Sequence, residues 1–283
     1  MVEFLTDLQV HAFLQNALLT GILASIACGI IGSYVVTRRI TYVAGGIAHS
    51  VLGGMGAARY LEVVYDWEWI HPLYGAVAAA LLSAAVIGLV GLKARQREDT
   101  VIGAVWAIGM ATGILFIFKT PGYNEDLMSY LFGNILMVSS SELWLIGGLD
   151  LLVVVAGLLF YNQLMAVCFD EEFARLRGIH VEFFYLLLLC LTALTVVLLV
   201  TVVGIVMVIA LLTLPVAVAG HFSRRLWQMM GLSVIFTSAV TTGGLVLSYG
   251  PDLPAGATTI VLAGVLYILV SVCSRFRRIR RSE

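Results

Sequence analysis

Nine apolar runs follow one another along the chain, each close to the ~20 residues a helix needs to cross the hydrocarbon core of a bilayer. They cover roughly 12–36, 41–61, 72–92, 100–118, 143–162, 181–202, 204–222, 227–248 and 257–273. In lipid every peptide group must find its partner within the chain, so runs of this length fold as helices. The expected class is an all-α integral membrane protein of about eight to nine transmembrane helices, with residues 1–283 as one transmembrane domain. Composition agrees: 61% of residues are hydrophobic and 12% charged, where a soluble domain has about 25% charged. No signal peptide is expected, because the first run is too long and many others follow it. One apolar stretch of about forty residues has to be cut at Gly204. The segment 127–138 (LMSYLFGNILMV) is too short to span and reads as a half-helix or re-entrant piece. The four cysteines show no CxxC pairing and read as buried small residues rather than disulfides.

Basic residues set the orientation. With Arg38 and Arg39 in the cytoplasm, alternation puts Lys93, Arg95, Arg97, Arg175, Arg177, Arg224 and Arg225 there too. Arg275, Arg277, Arg278, Arg280 and Arg281 join them, which makes the C-terminus cytoplasmic. Only Arg59 and Lys119 fall toward the outside. The outer loops are acidic and aromatic: Glu62, Asp66, Trp67, Glu68, Trp69, Glu125, Asp126 and Asp252.

One stretch departs from its apolar surroundings: FDEEFARLRG, Phe169–Gly178. Asp170, Glu171 and Glu172 come first, and Arg175 and Arg177 follow. That order suits a helix dipole. Gly178 stands where a C-capping glycine would. Phe169, Phe173 and Leu176 fall on one stripe, with Ala174 between them. On the cytoplasmic side such a helix is either a connector lying on the membrane surface or a docking knob for a soluble partner.

Five stretches in collinear order narrow the choice. They are VVTRRITYVAGGIAHSVLGG (35–54), EDLMSYLFGNILMVS (125–139), FDEEFARLRGI (169–179), VVGIVMVIALLTLPVAVAG (202–220) followed by SRRLWQM (223–229), and LSYGPDLPAGATTIVL (247–262). Together they resemble the membrane permease of bacterial zinc/manganese ABC importers, from about residue 11 to about residue 270. The resemblance implies that Phe169–Gly178 is the coupling helix, seated in a groove of a cytoplasmic ABC ATPase. It also implies a homodimer of the permease in the bacterial inner membrane, in contact with lipid. An extracytoplasmic metal-binding protein would deliver the ion. ATP would be hydrolysed by the partner. The chain's own nearest approach to a nucleotide loop, GILFIFKT (Gly113–Thr120), has Phe118 where a P-loop requires glycine. Neither a cofactor nor a nucleic-acid partner is expected.

His49 lies near the middle of the second run. An ionisable residue inside a span is a functional candidate, and imidazole is a common zinc ligand. The family pattern that the resemblance brings has an aspartate four residues before this histidine, on the same helix face. Here that position is Gly45. Two His49 rings could meet across a dimer axis, a carboxylate could come from Asp150, or the site could suit a different ion. Asp150 is the one acid deep in a span. Losing a hard oxygen donor shifts the expectation from manganese toward zinc, with ferrous iron also open. His71, beside two tryptophans, reads as an interfacial anchor or an entry ligand; His11, His180 and His221 sit near span ends. Arg59 is expected to snorkel or to pair with Glu62. Pro215 is a hinge or a static kink.

Two other readings compete. A permease for a metal chelate such as a siderophore or cobalamin shares the architecture, but the chain is short for ten spans. A secondary transporter driven by an ion gradient needs buried carboxylates, and only Asp150 is placed for that. An intramembrane enzyme lacks a catalytic constellation.

Overall fold

The computed structural model describes residues 7–8, 10–67, 69–93, 98–121, 133, 138, 140–251 and 253–279. Eleven helices account for nearly all of them: α1 Ala12–Thr37, α2 Thr41–Tyr65, α3 Pro72–Lys93, α4 Glu98–Lys119, α5 Ser140–Leu159, α6 Tyr161–Phe169, α7 Glu171–Leu176, α8 Val181–Val203, α9 Ile205–Phe222, α10 Leu226–Tyr249 and α11 Ala255–Ile279. The expected half-helix at 127–138 falls outside the described residues except for Gly133 and Val138.

Among the described residues, seven helices are long and apolar enough to cross a membrane: α1, α3, α4, α8, α9, α10 and α11. An eighth span results if α5 and α6 are counted as one, bent by 70°. The second expected span, α2, is 25 residues long. Its glycines, His49 and Arg59 lower its hydropathy, which keeps it out of that set. It lies among other helices instead, packed on α4, α3, α8 and α9.

Sequence explains the main breaks. The long apolar stretch is cut at Gly204, whose φ of 79° and ψ of 164° belong to a region essentially reserved for glycine. A Cβ on Gly133 would strike the backbone of Val203 and Gly204, so Gly133 packs against that break. Between α1 and α2 the chain turns in three residues. Arg39 takes a left-handed φ of 63°, while the Arg39 and Ile40 amides return to the carbonyls of Val36 and Val35 at 3.1 and 3.0 Å. This is a Schellman closure. α9 continues unbroken through Pro215.

Small residues let the helices approach closely, as packing in lipid favours. Gly54 of α2 faces Gly75 of α3 so tightly that a Cβ on either would meet the other's carbonyl oxygen. Gly53 lies against Gly109 of α4, where a Cβ would come within 2.8 Å of that carbonyl. Buried hydroxyls mostly bond back to their own helix, as Ser25 does to Gly21 (2.6 Å) and Thr192 to Leu188 (2.8 Å).

Candidate functional site

α2 carries the buried candidate. His49 is 9% exposed, and its ring stacks on Trp106 of α4 with centroids 4.3 Å apart and planes 14° apart. Its Nδ1 is buried without a hydrogen-bond partner. Next to it, Ser50 accepts a 2.7 Å hydrogen bond from Ser83 of α3. Gly45, one turn before His49, faces the Trp106 ring and Ile209 of α9.

Asp150 is 4% exposed on α5, with its Oδ1 unpartnered. The Ala27 backbone of α1 lies beside its carboxylate. α5 packs on α1 and α8, whereas α2 packs chiefly on α4 and α3. Within one chain, His49 and Asp150 therefore occupy different helix pairs. Among the described residues, no three or more His, Cys, Asp or Glu side chains converge as a metal cluster would.

The other histidines serve locally. His71 accepts from the Leu73 amide at 3.2 Å and caps the start of α3. His221 bonds back to the Ala217 carbonyl at 2.9 Å. His11 and His180 stand before α1 and α8 without side-chain caps. Arg59 pairs with Glu62 at 2.9 Å.

The charged stretch forms α7, narrower than Phe169–Gly178 suggests. Phe169 ends α6, and the helix proper is Glu171–Leu176. Asp170 is its N-cap, accepting from the Phe173 amide at 3.0 Å. At the other end Gly178 turns left-handed with φ 76°. The Gly178 and Ile179 amides close on the carbonyls of Arg175 and Ala174, both at 3.0 Å. Ala174 is buried, while Phe169, Phe173 and Leu176 are exposed. The helix thus shows an apolar face to the outside. Its inward acid, Glu171, forms an ion pair with Arg38 of the α1–α2 turn. A small cavity beside this pair is lined by Arg38, Arg39, Cys168, Asp170, Glu171 and Tyr185.

Residues 10–274 match the profile described as the ABC 3 transport family. The chain belongs to the ABC 3 transport family. One relative, "Uncharacterized membrane protein slr2045" of Synechocystis sp., is 42% identical over 95% of this chain and 93% of its own length. The "Manganese transport system membrane protein MntC" of Halalkalibacterium halodurans is 32% identical over 99% of this chain and 96% of its own. A solved structure, "PsaBC from Streptococcus pneumoniae in complex with Fab", superposes with a TM-score of 0.84 at 29% identity, covering 95% of this chain and 94% of that one. The resemblance drawn from the five sequence stretches is borne out.

For this ABC 3 family member, sequence reading passed over two residues that the fold brings forward. Trp106 stacks on His49 from a helix more than fifty positions away in the chain. Arg38 read only as a topology marker, yet it anchors α7. A glycine at 45 was the one local hint of the first. Nothing in the spacing pointed to the second.

Proposed function

We propose that this ABC 3 family permease is the transmembrane subunit of an ATP-driven importer of divalent metal ions, with zinc as the preferred cargo. Alternating access is driven by a separate ATPase docked on α7, and two copies of the permease form the pathway. An extracytoplasmic binding protein delivers the ion. ATP hydrolysis belongs to the partner.

The observation that carries the reading is His49: a buried imidazole on α2 with an unpartnered Nδ1, one turn after a glycine instead of a carboxylate. A nitrogen donor without a hard oxygen favours zinc over manganese. The capped α7 with its exposed Phe173 and Leu176 supports docking of a motor subunit. A manganese cargo is the second reading, and the name of the Halalkalibacterium relative favours it.

The test is uptake into proteoliposomes holding the permease with its ATPase, supplied with the binding protein outside and with zinc, manganese and ferrous iron in competition. ATP-dependent zinc uptake is expected. Uptake that ignores ATP and follows a proton gradient would overturn the importer reading and direct attention to Asp150.

A further inference from the structure

The indole of Trp106 covers two positions of α2 at once. One part stacks on His49. Another lies where a side chain at residue 45 would project: a Cβ there would sit 3.4 Å from Cζ3 and 3.9 Å from Cη2, with Ile209 Cδ1 at 3.7 Å. Residues 45 and 49 are one turn apart on a single face. A methyl group there would fit in ordinary van der Waals contact, whereas a longer side chain reaching in the same direction would run into the ring that stacks on His49.

α2 and α4 pack closely on either side of this spot. A Cβ on Gly109 of α4 would come within 2.5 Å of Ser50 Cα, and one on Gly113 within 2.7 Å of the Leu52 carbonyl carbon. The Trp106 side chain, only half-buried, is the nearest group with room to answer a change at 45.

We infer that Trp106 is a specificity-determining positioning residue of the His49 ion site, its indole occupying the space a carboxylate donor at residue 45 would need. The inference rests on the importer reading above. An imidazole bearing a metal ion is cationic, and an indole face attracts a cation. The same indole offers no hard oxygen. The pair therefore favours an ion satisfied by nitrogen and disfavours one that seeks carboxylate.

The experiment measures zinc and manganese uptake in competition, in proteoliposomes holding the permease, its ATPase and the binding protein outside. Wild type is compared with Trp106→Phe, Trp106→Ala, Gly45→Asp and the double variant Gly45→Asp with Trp106→Ala. Trp106→Phe keeps the zinc preference, because an aromatic face remains. Trp106→Ala lowers the zinc-to-manganese ratio by about tenfold, the scale of one desolvated cation–π contact. Gly45→Asp alone loses uptake of both ions. The double variant regains uptake, with the ratio shifted further toward manganese. A Trp106→Ala protein that binds its ATPase and keeps the wild-type ratio overturns the inference, as does a Gly45→Asp single variant that behaves like the double. If Trp106→Ala does not assemble with the ATPase, Trp106→Leu reads the ratio in its place. A wild-type protein that moves neither ion with ATP overturns the importer reading instead.

Discussion

The guanidinium of Arg38, in the turn between α1 and α2, is ion-paired with the carboxylate of Glu171 on α7. The same group donates to the Val167 carbonyl at the end of α6 (2.6 Å) and lies 4.4 Å from the Tyr185 ring centroid on α8. Three elements, α6, α7 and α8, are thus gathered on one side chain. α2 begins three residues later and carries His49 within it. α7 is thus joined to the histidine helix by a polar contact and a short turn.

Replacing Arg38 with alanine should lower metal uptake per ATP hydrolysed severalfold, with a moderate loss of stability. The ion pair alone contributes about 1 kcal/mol or less, but the alanine also leaves the Val167 carbonyl without its donor, which costs about 1–3 kcal/mol more. The check is the ratio of uptake to ATP hydrolysis in proteoliposomes, beside a thermal melt in detergent. The charge-reversed pair, Arg38→Glu with Glu171→Arg, should recover part of the ratio. No recovery would remove the joint from the mechanism.

Glu171 and Glu172 are neighbours in sequence but face different ways. Glu171 turns inward to Arg38, whereas Glu172 is exposed. Glu172→Arg should act on docking and Glu171→Arg on the seating of α7. On the exposed face, Phe173→Ala and Leu176→Ala should each weaken ATPase binding by about tenfold, for a loss of about 1–2 kcal/mol of buried apolar contact. Titration of the ATPase onto immobilised permease measures this. Unchanged affinity in both variants would return α7 to a plain connector.

His49→Ala should reduce ATP-driven ion uptake by more than about tenfold, the loss expected when one metal donor is removed. The protein should still assemble with its ATPase, since the Trp106 face keeps its other neighbours. Wild-type uptake would assign His49 to packing alone.

Much of the fold could be read in the sequence because lipid imposes a simple code. Each long apolar run had to become a helix, and Gly204 had to divide the longest one. The bend between α5 and α6 could not be read. Residues 143–162 look like one straight span, without proline. In the fold, the Tyr34 hydroxyl donates to the Gly157 carbonyl at 2.9 Å, from 123 residues away. A side chain bonded into a helix's own ladder is a recognised cause of a kink, and no local pattern announces it. The candidate site divides in the same way. His49 stood out because an ionisable group in a span is costly. Trp106 did not, because a tryptophan in an apolar run is unremarkable until a partner helix brings it onto a histidine.

Gly54→Ala and Gly103→Ala should separate packing from propensity. A Cβ at 54 would meet the Gly75 carbonyl and, at 2.5 Å, the Ala79 Cβ; at 103 nothing lies within 4 Å. Overpacking costs about 1–3 kcal/mol, so Gly54→Ala should lower the melting temperature by several degrees, at roughly 2–4 °C per kcal/mol. Gly103→Ala should leave it unchanged or raise it slightly, as alanine is the better helix former. Equal shifts in both would argue against close contact between α2 and α3.

α7 has six residues, too few for a helix to persist alone in water. It persists here because Asp170 closes one end and the turn at Gly178 closes the other. A protein that docks on it therefore meets a finished surface. No ordering entropy is spent on that side of the encounter, so less of the contact energy is lost on binding. Association should then proceed as near rigid-body docking, with a heat-capacity change set by the apolar contact area alone.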